Sequence, residues 1–96
     1  TIATTGNATN FGNQTITTSY RCSCADATRG VTFGGGGNTN VIEYITIQTA
    51  GNATDFGDTI YNWVQYAGAT ADKVTGFHIA GTSSSMKGEI HQVTIQ

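Results

Sequence analysis

Hydrophobic and polar positions alternate along this chain in short runs. The segments 15–24 (TITTSYRCSC), 30–35 (GVTFGG) and 41–48 (VIEYITIQ) are rich in β-branched and aromatic residues. The pattern returns at 59–68 (TIYNWVQYAG), 75–81 (TGFHIAG) and 89–95 (EIHQVTI). A period of two in residues of this type predicts half-buried β-strands. Clusters of Gly, Asn, Asp, Ser and Thr at 25–29, 36–40, 49–53, 69–73 and 82–88 separate the runs and read as turns. No segment carries helical periodicity. Two further short strands are expected at Thr9–Gly12 and Thr54–Gly57, where Phe11 and Phe56 each supply an apolar anchor.

These segments belong to an internal repeat. Residues 1–12 (TIATTGNATNFG) and 46–57 (TIQTAGNATDFG) are identical at nine of twelve positions, at an offset of 45. The same offset lays Arg21-Cys22-Ser23-Cys24 over Tyr66-Ala67-Gly68-Ala69. After a slip of one residue, 31–35 lies over 77–81; after two more, 42–47 lies over 90–95. The chain therefore reads as one two-blade unit, 1–96, with repeats at 1–45 and 46–93 and a third copy of the motif starting at 94–96. Four short strands in about 45 residues is the period of a β-propeller blade. A single β-sandwich leaves the identity of 1–12 with 46–57 unexplained.

The residues of this unit resemble the kelch-like repeats of tailed-phage and marine viral structural proteins. The likeness is carried by Gly51-Asn52-Ala53-Thr54-Asp55-Phe56-Gly57-Asp58, Thr28-Arg29-Gly30-Val31, Phe33-Gly34-Gly35-Gly36 and Asn40-Val41-Ile42-Glu43-Tyr44-Ile45-Thr46-Ile47. The second repeat departs from it, with Ala80-Gly81-Thr82 in place of the glycine run and Val74-Thr75-Gly76 in place of Thr28-Arg29-Gly30. The resemblance implies a β-propeller without a catalytic role, associated with a virion or tail or otherwise extracellular.

Two blades cannot close a ring, because each sheet buries its faces against its neighbours and a propeller takes about four to eight blades. The expected fold class is all-β: two four-stranded propeller blades per chain, closing by homo-oligomerisation. A trimer of six blades is favoured over a four-blade dimer or an eight-blade tetramer. Alternatively, the chain is an excised or processed piece of a longer one; it starts at Thr1 and carries no signal-peptide pattern. The phase of the repeat adds a detail. The first blade finds its outer strand in 54–58 of its own chain, whereas the second ends on its third strand. Strand exchange between subunits is therefore expected, with Ala8, Thr9, Asn10, Phe11 and Gly12 of one copy meeting Glu89, Ile90, Val93 and Ile95 of another.

Composition narrows the choice of partner. Charged residues are 10% of the chain, four of them Lys or Arg, and the net charge is −2. No basic cluster exists to hold nucleic acid or an anionic membrane by charge, and no apolar run is long enough to span a bilayer as a helix.

Candidate chemistry is sparse. Cys22 and Cys24 face one side of a strand but lack the further ligands that a zinc site needs, so both read as small packed groups. His78 and His91 fall in different strands, opposite Thr32 and Glu43 in the repeat alignment. No catalytic constellation, metal set or cofactor motif can be assembled. The run Gly34–Gly37 lacks the Lys-Ser/Thr of a phosphate loop and reads as a strand end with positive φ. The sequons at Asn7, Asn13 and Asn52 sit largely within the repeated turn motif. A lectin-like propeller is the alternative function: Trp63, whose repeat partner is Thr18, with Tyr61, Asn38 and Asn40 would then contact a glycan.

Overall fold

In a computed structural model the alternating runs become strand only where a neighbouring run pairs with them. The structure describes residues 2–36, 39–61, 67–79, 81–83, 85–86 and 88–95. Strands β1 (Cys22–Ala25), β2 (Arg29–Phe33), β3 (Val41–Thr46) and β4 (Thr54–Asp58) form a four-stranded antiparallel sheet in chain order. Strands β5 (Gly68–Ala71), β6 (Thr75–Ile79) and β9 (Ile90–Thr94) form a three-stranded antiparallel sheet. A two-stranded ribbon of β7 (Thr82–Ser83) and β8 (Ser85–Met86) lies between β6 and β9 in the chain. No helix occurs among the described residues. The fold is therefore all-β, and the first sheet takes its fourth strand from the start of the second sequence repeat.

The two sheets are built on the same hairpin. Asp26 Oδ1 accepts the amides of Thr28 and Arg29 at 2.7 and 2.6 Å, and the Asp26 amide donates to the Arg29 carbonyl. Asp72 does the same with Val74, Thr75 and the Thr75 carbonyl. An Asp side chain that mimics a backbone turn in this way sets the register of each hairpin. Cys22 then pairs with Phe33, and Gly68 with Ile79.

This register corrects the repeat alignment. Asp26 matches Asp72 at a spacing of 46, so Cys22 and Cys24 correspond to Gly68 and Thr70 and not to Ala67 and Ala69. The slip falls before the hairpin, in the connection that leads into it.

Strand limits also differ from those expected. Residues 15–21 are not strand. The Thr15 hydroxyl and amide are taken by Glu43, the Thr18 hydroxyl donates to the Gly36 carbonyl, and Tyr20 has φ 58°, which breaks the extended path. Residues 59–61 are likewise outside any strand: the Thr59 hydroxyl bridges the Asn40 and Tyr61 carbonyls. Conversely, 69–71, expected as turn, lies in β5, where pairing with β6 overrides the weak strand propensity of alanine. The expected strand at Thr9–Gly12 is not formed. The glycine run behaves as expected, with φ 49° at Gly34 and 120° at Gly35.

The core lies between the sheets. Val31, Phe33, Ile42 and Ile95 are fully buried there, flanked by Cys22, Cys24, Tyr44, Phe56, Ala69, Ala71 and Val93. Arg29 ties the sheets together at one edge: its guanidinium donates to the Ile95 carbonyl at 2.9 Å and lies 4.4 Å from the centre of the Tyr44 ring.

Candidate assembly interface

Corresponding strands of the two sheets bury opposite faces. In the first sheet the buried residues of β2 are Val31 and Phe33, and Cys22 and Cys24 share their face. In the second sheet the buried residues of β6 are Gly76 and His78, flanked by Ala69 and Ala71 of β5. Val31 and Phe33 correspond to Phe77 and Ile79, whereas Gly76 and His78 correspond to Gly30 and Thr32. One face of the first sheet thus meets the other face of the second. Among the described residues this head-to-tail contact leaves each sheet with one face that no other sheet covers.

The contact itself is close. Phe33 lies against His78 with ring centroids 5.6 Å apart, and His78 stacks on His91, its cross-strand partner, at 5.7 Å. His78 is 1% exposed, and neither of its ring nitrogens has a hydrogen-bond partner. Burial, with the neighbouring His91 charge, pushes its pKa below the ordinary value, so the imidazole is neutral at pH 7. Phe33, Ile42, Asp58, Thr59, His78, His91 and Val93 are among the residues around a cavity of about 270 Å³ left between the sheets.

The unused face of the first sheet carries Ser23, Ala25, Gly30, Thr32, Glu43 and Ile45. With Phe11, Gly12, Asn13 and Gln14 these line an open groove of about 460 Å³. At its floor Glu43 is 1% exposed and bonds to the Arg21 guanidinium and to the Thr15 hydroxyl and amide. Arg21 also donates to the Thr32 and Val41 carbonyls. Burial works against the Glu43 carboxylate, but the Thr15 and Arg21 donors outweigh it and hold the pKa below the ordinary value. Glu43 therefore pins the entering chain to the third strand. Tyr61 does the corresponding job in the second repeat, with its ring 5.9 Å from His91.

The unused face of the second sheet carries Phe77, Ile79 and Ile90; Ile79 is 39% exposed and Ile90 64%. Beyond it, β9 is an edge strand, with β6 on its only paired side among the described residues.

Residues 9–13 hold the conformation of β4 without its pairing. The Gly12 amide donates to Asn10 Oδ1 at 3.1 Å, as the Gly57 amide donates to Asp55 Oδ1 at 3.1 Å. Their φ angles are 158° and 152°. The segment is exposed and rests on its own chain, with the Phe11 and Asn13 carbonyls accepting the Gly51 and Ala53 amides at 2.8 Å.

Of the residues named from the sequence, Ala8–Gly12 and Ile90 are exposed, and Glu89 takes the Tyr61 hydroxyl. Val93 and Ile95 pack into the chain's own core, so they could meet a second copy only through the backbone. Of the candidate glycan residues, Trp63 and Asn38 lie outside the described residues, the Tyr61 hydroxyl donates to Glu89 with its ring against His91, and the Asn40 carbonyl accepts from Thr59. Cys22 and Cys24 are free thiols on the core side of β1. Among the described residues no three His, Cys, Asp or Glu side chains are grouped to hold a metal ion. Sequence reasoning missed Thr15, Arg21 and Glu43 as a unit, because the link spans 28 residues and no local spacing signals it. No protein-family model matches this chain, and no curated protein matches it.

Proposed function

We propose that this chain is a non-enzymatic structural module that assembles with copies of itself into a closed β-propeller. The observation that carries this reading is the head-to-tail packing of two successive antiparallel sheets, which leaves one face open at each end. A contact of this kind repeats from copy to copy until the rotation closes a ring. Two blades per chain give four, six or eight blades, and six blades as a trimer is the arrangement we favour. The spare segment 9–13 supplies the fourth strand that the second sheet lacks among the described residues, exchanged onto β9 of a neighbouring copy. The kelch-like character of the repeats supports a virion- or tail-associated scaffold that displays its polar loops.

The thin core argues the same way. Among the described residues four apolar side chains are fully buried, while Ile60, Ile79 and Ile90 are 74%, 39% and 64% exposed. Each blade buries enough apolar surface only when both its faces are covered. The native mass in solution tests the proposal. Three chains of 10.0 kDa give a particle of about 30 kDa. A folded particle of one chain's mass would overturn it, and a dimer or tetramer would replace the blade number.

A further inference from the structure

We infer that the Phe77–Ile79–Ile90 face of one copy docks into the Gly30–Thr32–Ile45 groove of a second copy, repeating between chains the contact seen within one. This inference rests on the self-assembly proposed above and assigns the surfaces that carry it.

The internal contact serves as the template. The 270 Å³ cavity between the sheets and the 460 Å³ groove on the first sheet overlap in position when the repeats are aligned. Asp58 and Thr59 around the cavity correspond to Asn13 and Gln14 around the groove. His78, His91 and Val93 correspond to Thr32, Glu43 and Ile45. Besides Ile60, Ile90 and Gln92 at its margin, the cavity has Phe33 and Ile42, contributed by the preceding sheet, and the groove has no such pair. Their counterparts are Ile79 and Ile90, the exposed aliphatic side chains of the second sheet's unused face.

Small residues fit the same scheme. In the chain, Cys24 packs over Gly76, where an added Cβ would lie 2.9 Å from its sulfur. The counterpart of Gly76 is Gly30, again a glycine, and the counterpart of Cys24 is Thr70. At Gly30 the nearest atoms to an added Cβ are side-chain atoms of Ile45 and Ile47 of its own sheet, with none from a second sheet, and in the assembly Thr70 of the incoming sheet takes that place. The spare segment stands at the groove's rim, since Phe11–Gln14 are part of its lining. That is where the incoming β9 would find its fourth strand. The partner is a second copy because the missing groups are apolar, have counterparts in Ile79 and Ile90 of this chain's own open face, and need no charge complement.

The test is a mass measurement on Ile90→Lys, with Val74→Lys as control; Val74 is 51% exposed in the turn between β5 and β6. Ile90→Lys is expected to raise the concentration of half-dissociation by at least about 100-fold, as for a charge buried in an interface hot spot, and Val74→Lys to leave it unchanged. A second measurement does not depend on that variant folding. In a chain carrying Thr32→Cys and Ile79→Cys, the counterparts of His78 and Phe33, a short bismaleimide is expected to join copies into a ladder. Each single variant should give at most one link. An unaltered chain that is monomeric at all concentrations overturns both the assembly and this assignment. An oligomer that survives Ile90→Lys and yields no ladder overturns the assignment alone and leaves the assembly standing.

Discussion

Cys24 packs over Gly76, its sulfur standing where a side chain at residue 76 would begin. A Cβ at residue 76 would lie 2.9 Å from Cys24 Sγ and 3.4 Å from two atoms of Ile95. Ile95 is fully buried and β1 is fixed in the first sheet, so neither neighbour has room to withdraw. Gly76→Ala is expected to destabilise the fold by about 1–3 kcal/mol, as overpacking of a closed core does, measured by urea unfolding. Gly30→Ala gives the contrast. There an added Cβ would lie 3.3 Å from an Ile45 side-chain atom, so the single chain should lose less stability than with Gly76→Ala, while association between copies weakens, read as a rise in the dissociation midpoint.

The pairing of Glu43 with Arg21 and Thr15 makes stability depend on acid. The folded carboxyl titrates below its ordinary value of 4.5. Its contribution is complete above that value and is lost as the pH falls through the lower folded pKa. Unfolding midpoints between pH 7 and pH 3 should therefore drop below about pH 4.5, and Glu43→Gln should flatten that part of the profile. Arg21→Ala leaves the buried carboxylate without its cation and is expected to cost about 3–5 kcal/mol at pH 7.

Strands β2, β3, β6 and β9 were legible in the sequence because each is an alternating run with a partner of matching length. The faces were not. Phe77 and Ile79 are more apolar than Gly76 and His78, so the pattern points Phe77 and Ile79 at the core, yet His78 is buried and Ile79 exposed. Alternation tells a wet face from a dry one. In a sheet covered on both sides, as the proposed assembly requires, that distinction disappears, and only the identity of the neighbour decides. The same limit hid the role of Glu43, which in isolation looks like a solvent-facing strand residue. The open groove had a sequence signal in the glycine repeated at 30 and 76, which at 76 marks the close approach of the other sheet.

Burial governs the thiols. Desolvation, with Cys24 beside it, pushes Cys22 up to about 11 from an ordinary 9.0, and burial also raises Cys24. A thiol is a poor nucleophile when its thiolate is scarce. In native protein at pH 8 both cysteines are expected to react with a disulfide reagent at least tenfold more slowly than in urea. Equal rates in the two conditions would mean that β1 is open to solvent.

His78 carries the last expectation. Its ring is enclosed by Phe33 and His91 with both nitrogens unpartnered, so the protonated form is disfavoured in the folded chain. The folded pKa lies below the ordinary 6.5. Between those two values the unfolded chain binds a proton that the folded chain refuses, and stability falls as the pH falls through that window. His78→Phe keeps a flat ring against Phe33 and removes a buried donor that lacks an acceptor. The variant should be at least as stable at pH 7.5, by about 1 kcal/mol, and should lose less stability between pH 6.5 and 5 than the unaltered chain. Urea titrations at the two pH values measure both effects. A variant that is less stable at pH 7.5 would show that an imidazole nitrogen does find a partner in solution.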